Sequence, residues 1–469
     1  MKKIHLLILL LLTANISFAK IWLPSILSDN MVLQQNSNAT IWGWTTSTAE
    51  TIEVIGSWNG EVVKVKTYQG VWSVTLPTTR AGGPYTVIIR GHEEIVLSNV
   101  LLGEVWLCSG QSNMQWTPEN GLLNAEEEIK KANYPNIRFF QVPQTKSITP
   151  QDDLVGDWTE CKPETMRKFS SVAYFYGKEL YQTLNVPIGL INSSWGGTPV
   201  EPWIKKELIE NDEELKKAAK KLKSYEWWPG LPGNAYNGMI HPITKFNIAG
   251  VIWYQGESNR DNAFSYYKSF PLLIEFWRKE WGKELPFYFT QIAPFNYKSK
   301  TNIEAAVVRD AQLYTMLALP KTGMVVTNDI GNLKNIHPIN KQEVSKRLSL
   351  WALVKTYGVK DLMFSGPIYK SMEIKKNKIV LYFDYAENGL IKKEKELREF
   401  FIAGEDQKFY PAIAKIKNNT VVVSSKKVKK PVAVRFAFSD TALPNLYNMS
   451  GLPASAFRTD DWEIDINND

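Results

Sequence analysis

The sequence predicts an α/β protein: a three-layer α/β/α domain with a parallel sheet, flanked at each end by a β-rich region. Three observations predict it. From Ile21 to about Leu101 the apolar residues recur with period two; from there to about residue 360, apolar strands alternate with segments of helical period; from about Met363, β-branched and aromatic runs return. This assigns residues 1–19 to a leader, 20–100 to an N-terminal β domain, 101–360 to the α/β domain and 361–469 to a C-terminal β-rich region.

The leader begins with Lys2 and Lys3, continues as an uninterrupted apolar run from Leu6 to Leu12, and ends on the small residues of Ser17-Phe18-Ala19. That order is the one a signal peptidase reads. The run is too short to span a bilayer, and no later stretch approaches ~18 apolar residues. The expectation is an exported chain, periplasmic or extracellular, that starts near Lys20 and has no membrane insertion once the leader is removed.

In the N-terminal region Val71-Trp72-Ser73-Val74-Thr75-Leu76 alternates strictly, and Asn59-Gly60, Gln69-Gly70 and Gly82-Gly83 punctuate the strands as turns. The central region opens with the buried strand Val105-Trp106-Leu107. Further strands are predicted at 188–192, 249–254, 287–292 and 323–327, with helices at 205–225, 263–281 and 340–357. In the last helix Val344, Leu348 and Trp351 share one face. Strands alternating with helices place helices on both faces of a parallel sheet. The C-terminal strands are marked by Ile379-Val380-Leu381-Tyr382-Phe383, Thr420-Val421-Val422-Val423 and Val432-Ala433-Val434-Arg435-Phe436.

Composition excludes several classes. Across 469 residues, 55 Lys and Arg face 48 Asp and Glu, and a net charge of +7 is too mild for a nucleic-acid partner. With 44% apolar and 22% charged residues the chain is not disordered. Cys108 and Cys161 carry no disulfide-framework signature; an oxidising compartment would allow them to pair, and two buried free thiols are the leading expectation. The 17 Trp and 20 Tyr fill cores, and the same rings stack on sugars and line recognition surfaces.

Of the four His, His5 lies in the leader and His92 in a polar turn, which leaves His241 and His337 as neutral-pH bases. Each precedes a proline, which biases it toward extended backbone at the edge of an element. A nucleophile candidate, Ser112, follows the first strand of the α/β region in Gly110-Gln111-Ser112-Asn113-Met114, where open α/β sheets place their active sites. This is not the Gly-x-Ser-x-Gly elbow, because Met114 fills the last position. Two more clusters follow strands. Ser194-Trp195-Gly196-Gly197-Thr198 puts paired glycines where a backbone N–H can meet an oxyanion, and Gln255-Gly256-Glu257-Ser258-Asn259 offers side-chain amides. Each alone reads as a tight turn. Their joint order, nucleophile, glycine turn, amide donor and late His, points to acyl transfer.

This constellation resembles the SGNH hydrolase superfamily and, within it, the sialate O-acetylesterase group. The matching motifs are Gly-Glu-Val-Trp-Leu-Cys-Ser-Gly-Gln-Ser-Asn-Met at 103–114, Ser-Trp-Gly-Gly-Thr-Pro at 194–199, Tyr-Asn-Gly-Met-Ile-His-Pro at 236–242, Trp-Tyr-Gln-Gly-Glu-Ser-Asn at 253–259 and Ile-His-Pro-Ile-Asn-Lys-Gln-Glu-Val at 336–344. The likeness reaches the flanks through Asp29-Asn30-Met31-Val32-Leu33-Gln34 and Asn445-Leu446-Tyr447-Asn448, and so covers essentially the whole mature chain.

The resemblance implies an SGNH-type hydrolase domain in which Ser112 is the nucleophile, His337 the base, and the oxyanion donors are the Ser112 N–H, that of Gly197 or Gly196, and the Gln255 side chain. It implies no metal and no cofactor. Where the superfamily carries Asp three residues before its His, this chain has Lys334, and Asn335 stands two before. The orienting group is therefore open between Asp329, the nearest upstream carboxylate, a backbone carbonyl, and a dyad without an acid. The implied substrate is an acetylated carbohydrate, sialic acids first, with Arg260 placed to meet a sialic acid carboxylate. Acetylated plant polysaccharide such as acetylxylan, or a lapsed glycan-binding role, are the rival readings.

Overall fold

The computed structural model describes residues 20–223 and 225–466; the leader expected at residues 1–19 lies outside the described residues. The alternation of the N-terminal region builds two antiparallel arrays. Ile21–Trp22, Asn38–Thr45 and Val71–Pro77 form one, and Val62–Lys66, Thr51–Gly56 and Gly82–Arg90 the other. Their inward residues Ile41, Ile52, Val54, Trp72, Leu76, Val87 and Ile89 are buried, as period-two patterning requires.

The strand that follows, β1 (Glu94–Gly110), is 17 residues long and belongs to both regions. Its first part pairs antiparallel with Gly82–Arg90. Its second part pairs parallel with β4 (Ile188–Ser194) and β5 (Gly250–Tyr254). Burial alternates up to Asn99 and is continuous from Val100 to Gly110. That is the change from a strand with one wet face to one covered on both. The boundary expected between residues 100 and 101 thus falls inside a single strand.

The remaining strands of the central sheet are β2 (Tyr134–Gln141), β3 (Trp158–Cys161), β6 (Phe287–Thr290) and β7 (Thr322–Val325), and the order across it is β3-β2-β4-β1-β5-β6-β7. All run parallel except β3, an antiparallel edge that the sequence did not announce. Four helices cover the sheet: α1 (Ser171–Leu184), α2 (Tyr266–Glu280), α3 (Glu304–Ala318) and α4 (Lys341–Lys355). Neighbouring residues of β6 show how they divide. Tyr288 packs on Trp351 of α4, whereas Phe289 packs on Phe270 of α2, and successive strand residues point to opposite faces.

The helix expected at 205–225 is two short ones, Lys206–Glu210 and Glu213–Ala219. Asp212 divides them, since its carboxylate accepts from Glu214 N–H and Leu215 N–H and starts a new helix. Helices α1 and α3 escaped the reading because residues 171–177 and 305–309 are buried without a break and show no amphipathic stripe.

The C-terminal region forms two four-stranded antiparallel sheets and a two-stranded one. It is tied to the central domain near the carboxyl ends of β6 and β7. Gln291 Nε2 donates to Ser455 Oγ at 3.1 Å, Asn328 Nδ2 to Ala454 O at 3.0 Å, and Ala305 N–H to Asp440 Oδ1 at 2.8 Å. Cys108 on β1 and Cys161 on β3 are buried and free. Among the described residues no helix is long and apolar enough to cross a membrane.

Candidate active site

Ser194, Gly110 and Tyr254 are register partners across the adjacent strands β4, β1 and β5. The three motif loops therefore leave the sheet side by side. Gly110 has φ of +138°, and a Cβ there would collide with the Tyr254 carbonyl, so only glycine lets β1 turn into the Ser112 loop between its neighbours. Gln111 then staples the loops. Its backbone N–H donates to Tyr254 O at 3.0 Å, and its Oε1 accepts from Gly256 N–H and Ser258 N–H, both at 3.3 Å.

His337 arrives from the loop between β7 and α4, and its Nε2 lies 2.9 Å from Ser112 Oγ. The ring stacks on Trp116, with centroids 4.0 Å apart and planes at 20°. Its backbone N–H donates to Asn335 Oδ1 at 2.9 Å. Burial, with the Lys341 charge adding to it, lowers the imidazole pKa to about 4, because both disfavour the imidazolium. The ring is therefore a neutral base across the physiological range.

The structure brings Ser112, His337 and the Gly196–Gly197 turn together and gives the other expected residues different partners. Asp329 does not orient His337. Both of its oxygens are held by Arg347 at 2.7 and 2.9 Å, an ion pair buried on both sides. Lys334 is exposed, and His241 Nδ1 lies 2.9 Å from Gln151 O. Gln255 supplies no oxyanion donor, because its Nε2 donates to Asn259 Oδ1 at 2.7 Å and to Thr198 O at 3.3 Å, while Tyr266 donates to its Oε1. Both amide hydrogens are spent bracing the loops. Arg260 already has a carboxylate, Asp261 at 2.8 Å, and its guanidinium covers the Tyr297 ring.

Backbone groups remain for an oxyanion. Ser112 opens its short helix, so its N–H has no intrahelical acceptor. Gly196 N–H is taken by Gln115 Oε1 at 2.7 Å, whereas the N–H of Gly197, at φ of +77°, makes no bond within the turn. Of the two glycines, Gly197 is the available donor.

A buried network under the pair was not foreseen. Asn113 Nδ2 donates to Glu257 Oε1 at 2.7 Å and to Ile336 O at 3.1 Å, and Lys341 Nζ donates to Asn113 Oδ1 at 2.6 Å. Burial pushes the Lys341 pKa down to about 7, with the nearby Glu257 opposing it. Burial likewise raises the Glu257 carboxyl, whose Oε2 has no partner. All three residues stand inside the motifs already noted, but a polar residue in a motif does not reveal its partner two hundred positions away.

Ser112, a neutral imidazole in contact with it and two backbone donors can together carry out nucleophilic attack on an ester carbonyl. Among the described residues no group of three His, Cys, Asp or Glu is placed to hold a metal ion.

Residues 102–348 match the model of a family described as carbohydrate esterase, sialic acid-specific acetylesterase. A sialate O-acetylesterase of Homo sapiens is 31% identical to this chain, covering 92% of it and 91% of its own length. One from Mus musculus is 33% identical over 75% of this chain and 76% of its own. The crystal structure of a carbohydrate acetylesterase from Xanthomonas citri superposes with a TM-score of 0.87 at 38% identity, covering 94% of this chain and all of that one (100%). With a family model that spans its motif loops and His337, and a relative that covers 92% of its length at 31% identity, this chain belongs to the sialic acid-specific acetylesterase family of carbohydrate esterases.

Proposed function

We propose that this protein is an exported serine esterase that removes O-acetyl groups from carbohydrates, sialic acids foremost, working as a Ser112–His337 dyad. The observation that carries the reading is the 2.9 Å contact between His337 Nε2 and Ser112 Oγ at the mouth of three motif loops. The hydroxyl donates its proton to Nε2 as Oγ attacks the acetyl carbonyl carbon, and the N–H groups of Ser112 and Gly197 receive the oxyanion. Collapse of the tetrahedral adduct breaks the bond to the sugar oxygen, which takes the proton back from Nε2. Water, deprotonated by the same nitrogen, then releases acetate from the acetyl-serine. Stacking on Trp116 holds the ring plane that a carboxylate holds in a triad.

Sialic acid leads because the relatives of Homo sapiens and Mus musculus are named for it. The more similar Xanthomonas citri protein is named only a carbohydrate acetylesterase, and this keeps acetylated plant polysaccharide as the second reading. The deciding experiment measures acetate release from 9-O-acetylated N-acetylneuraminic acid and from acetylated xylo-oligosaccharides side by side, with Ser112→Ala as control. A kcat/KM at least tenfold higher on the sialic acid supports the first reading, and the reverse ratio replaces it. No release above the control from any ester overturns the esterase itself. Export is tested by mass spectrometry of cell-derived protein. An amino terminus near Lys20 supports it, and an intact Met1 removes it.

A further inference from the structure

Beyond the glycine turn the wall of the site is aromatic. Trp228 donates from Nε1 to Gly196 O at 3.1 Å, and its indole lies 3.8 Å from where a Cβ on Gly197 would stand. Tyr225 meets Trp228 edge-on, with centroids 6.0 Å apart, and Trp227 stacks beside Tyr225 at 6.0 Å with planes at 18°. The series runs outward into solvent: Trp228 is half-buried, Tyr225 is 49% exposed and Trp227 is 70% exposed. Most other large aromatics of the central domain are buried. Two neighbouring rings held in water beside a candidate site are the kind of exposed apolar surface that marks recognition.

The segment that displays them is braced. Lys146 Nζ donates to Tyr225 O at 3.3 Å and Glu226 O at 2.9 Å, Trp228 N–H to Tyr225 O at 3.2 Å, and Gly230 N–H to Trp228 O at 2.9 Å. A platform fixed in this way loses little side-chain freedom when it binds, because Trp and Tyr have only two χ angles to settle. The Lys146 ammonium is committed to those backbone carbonyls and not to the ring faces.

We propose that Tyr225 and Trp227 form a glycan subsite that stacks on a neutral pyranose ring adjoining the acetylated sugar. The apolar C–H face of a pyranose fits an aromatic face, while its hydroxyls stay in solvent around the rim. This rests on the carbohydrate-esterase reading and adds that the enzyme reads at least two linked rings. It applies to a sialic acid joined to a neutral hexose and to an acetylated xylose within its chain.

The test compares kcat/KM on 9-O-acetylated N-acetylneuraminic acid free and linked to lactose, on acetylated xylose and acetylated xylotetraose, and on ethyl acetate. In the wild type the linked glycan of whichever pair is hydrolysed exceeds its monosaccharide by about tenfold, the size of one good ring contact. In the Tyr225→Ala/Trp227→Ala double variant that ratio falls to about one, through KM rather than kcat, and Trp227→Phe keeps most of it. A ratio unchanged in the double variant overturns the subsite, and so does an equal loss on linked glycan, monosaccharide and ethyl acetate. If the wild type hydrolyses ethyl acetate but neither pair of sugars, the carbohydrate reading fails by itself. The subsite is then decided by electrophoresis of Ser112→Ala in gels containing xylan or a desialylated glycoprotein. Retardation that the double variant loses supports it, and no retardation overturns it.

Discussion

Lys341 Nζ donates to Asn113 Oδ1 at 2.6 Å, so a buried lysine leans on the residue that follows Ser112. The same Asn113 amide holds Ile336 O, one position before His337. A single side chain thus ties the Ser112 loop to the His337 loop, and a lysine at the first position of α4 keeps it in place. A cation there opposes the helix dipole, which adds to the cost of burying it.

Lys341→Met leaves Asn113 Oδ1 without its donor and Glu257 without its cation. Breaking a buried charged network costs about 3–5 kcal/mol, and a base displaced by about 1 Å can lose 10²-fold in rate. The expected outcome is a lower urea midpoint, with kcat on ethyl acetate down about a hundredfold and KM little changed. A folded variant with wild-type kcat would detach Lys341 from the reaction.

The pH dependence follows from His337. Its pKa in the folded chain is about 4 against an ordinary 6.5, so the base is already neutral well below pH 6. The acid limb of kcat/KM is expected near pH 4, and Lys341→Met should move it upward without restoring 6.5, because burial is the larger cause. The unfolded chain takes up this proton near 6.5 and the folded chain only near 4. Its contribution to stability is therefore complete above pH 6.5 and is lost as pH falls from there through 4. A limb at 6.5 in activity, with no slope in chemical-denaturation stability over that interval, would contradict the assignment.

For Asp329 the expectation is a stability effect without a catalytic one. Asp329→Asn leaves the Arg347 guanidinium buried and half-paired, so the melting temperature drops, whereas kcat changes by less than about fivefold. A triad acid would cost ~10⁴. The two outcomes are far enough apart that one set of initial rates on folded protein separates them.

Trp116 is expected to do the orienting. Trp116→Ala removes the stack on His337 and opens the ring to water, so kcat falls about tenfold and the acid limb rises toward 6.5. Trp116→Phe should retain most of the rate and the low limb. If the alanine variant keeps both, the imidazole is held by its backbone alone.

Sequence carried the Ser112–His337 pair and much less of what supports it. Ser112 was legible from its strand and glycine signals, whereas His337 stood level with His241, each before a proline, until the family resemblance separated them. Gln255 and Asp329 misled for one shared reason: the number of residue types able to donate or accept is large, and the partner is chosen in three dimensions. Asn259 and Thr198 capture the amide of one, and Arg347, on α4, captures the carboxylate of the other. The helices α1 and α3 were hidden by burial on nearly every side, which erases the period that reveals a surface helix. The Lys341 network was hidden for the opposite reason, since a lysine at a helix start reads as a solvated residue until the fold closes over it.

The 17-residue strand β1 has a practical consequence. One uninterrupted backbone runs from the edge of the amino-terminal sheet to the turn that presents Ser112, and Val32–Gln34 completes its flank as a parallel partner at Leu101–Gly103. The front of this molecule is therefore not a detachable cassette. Shuffling it onto another hydrolase, or trimming it to obtain a minimal enzyme, cuts through the beam on which Ser112 is mounted.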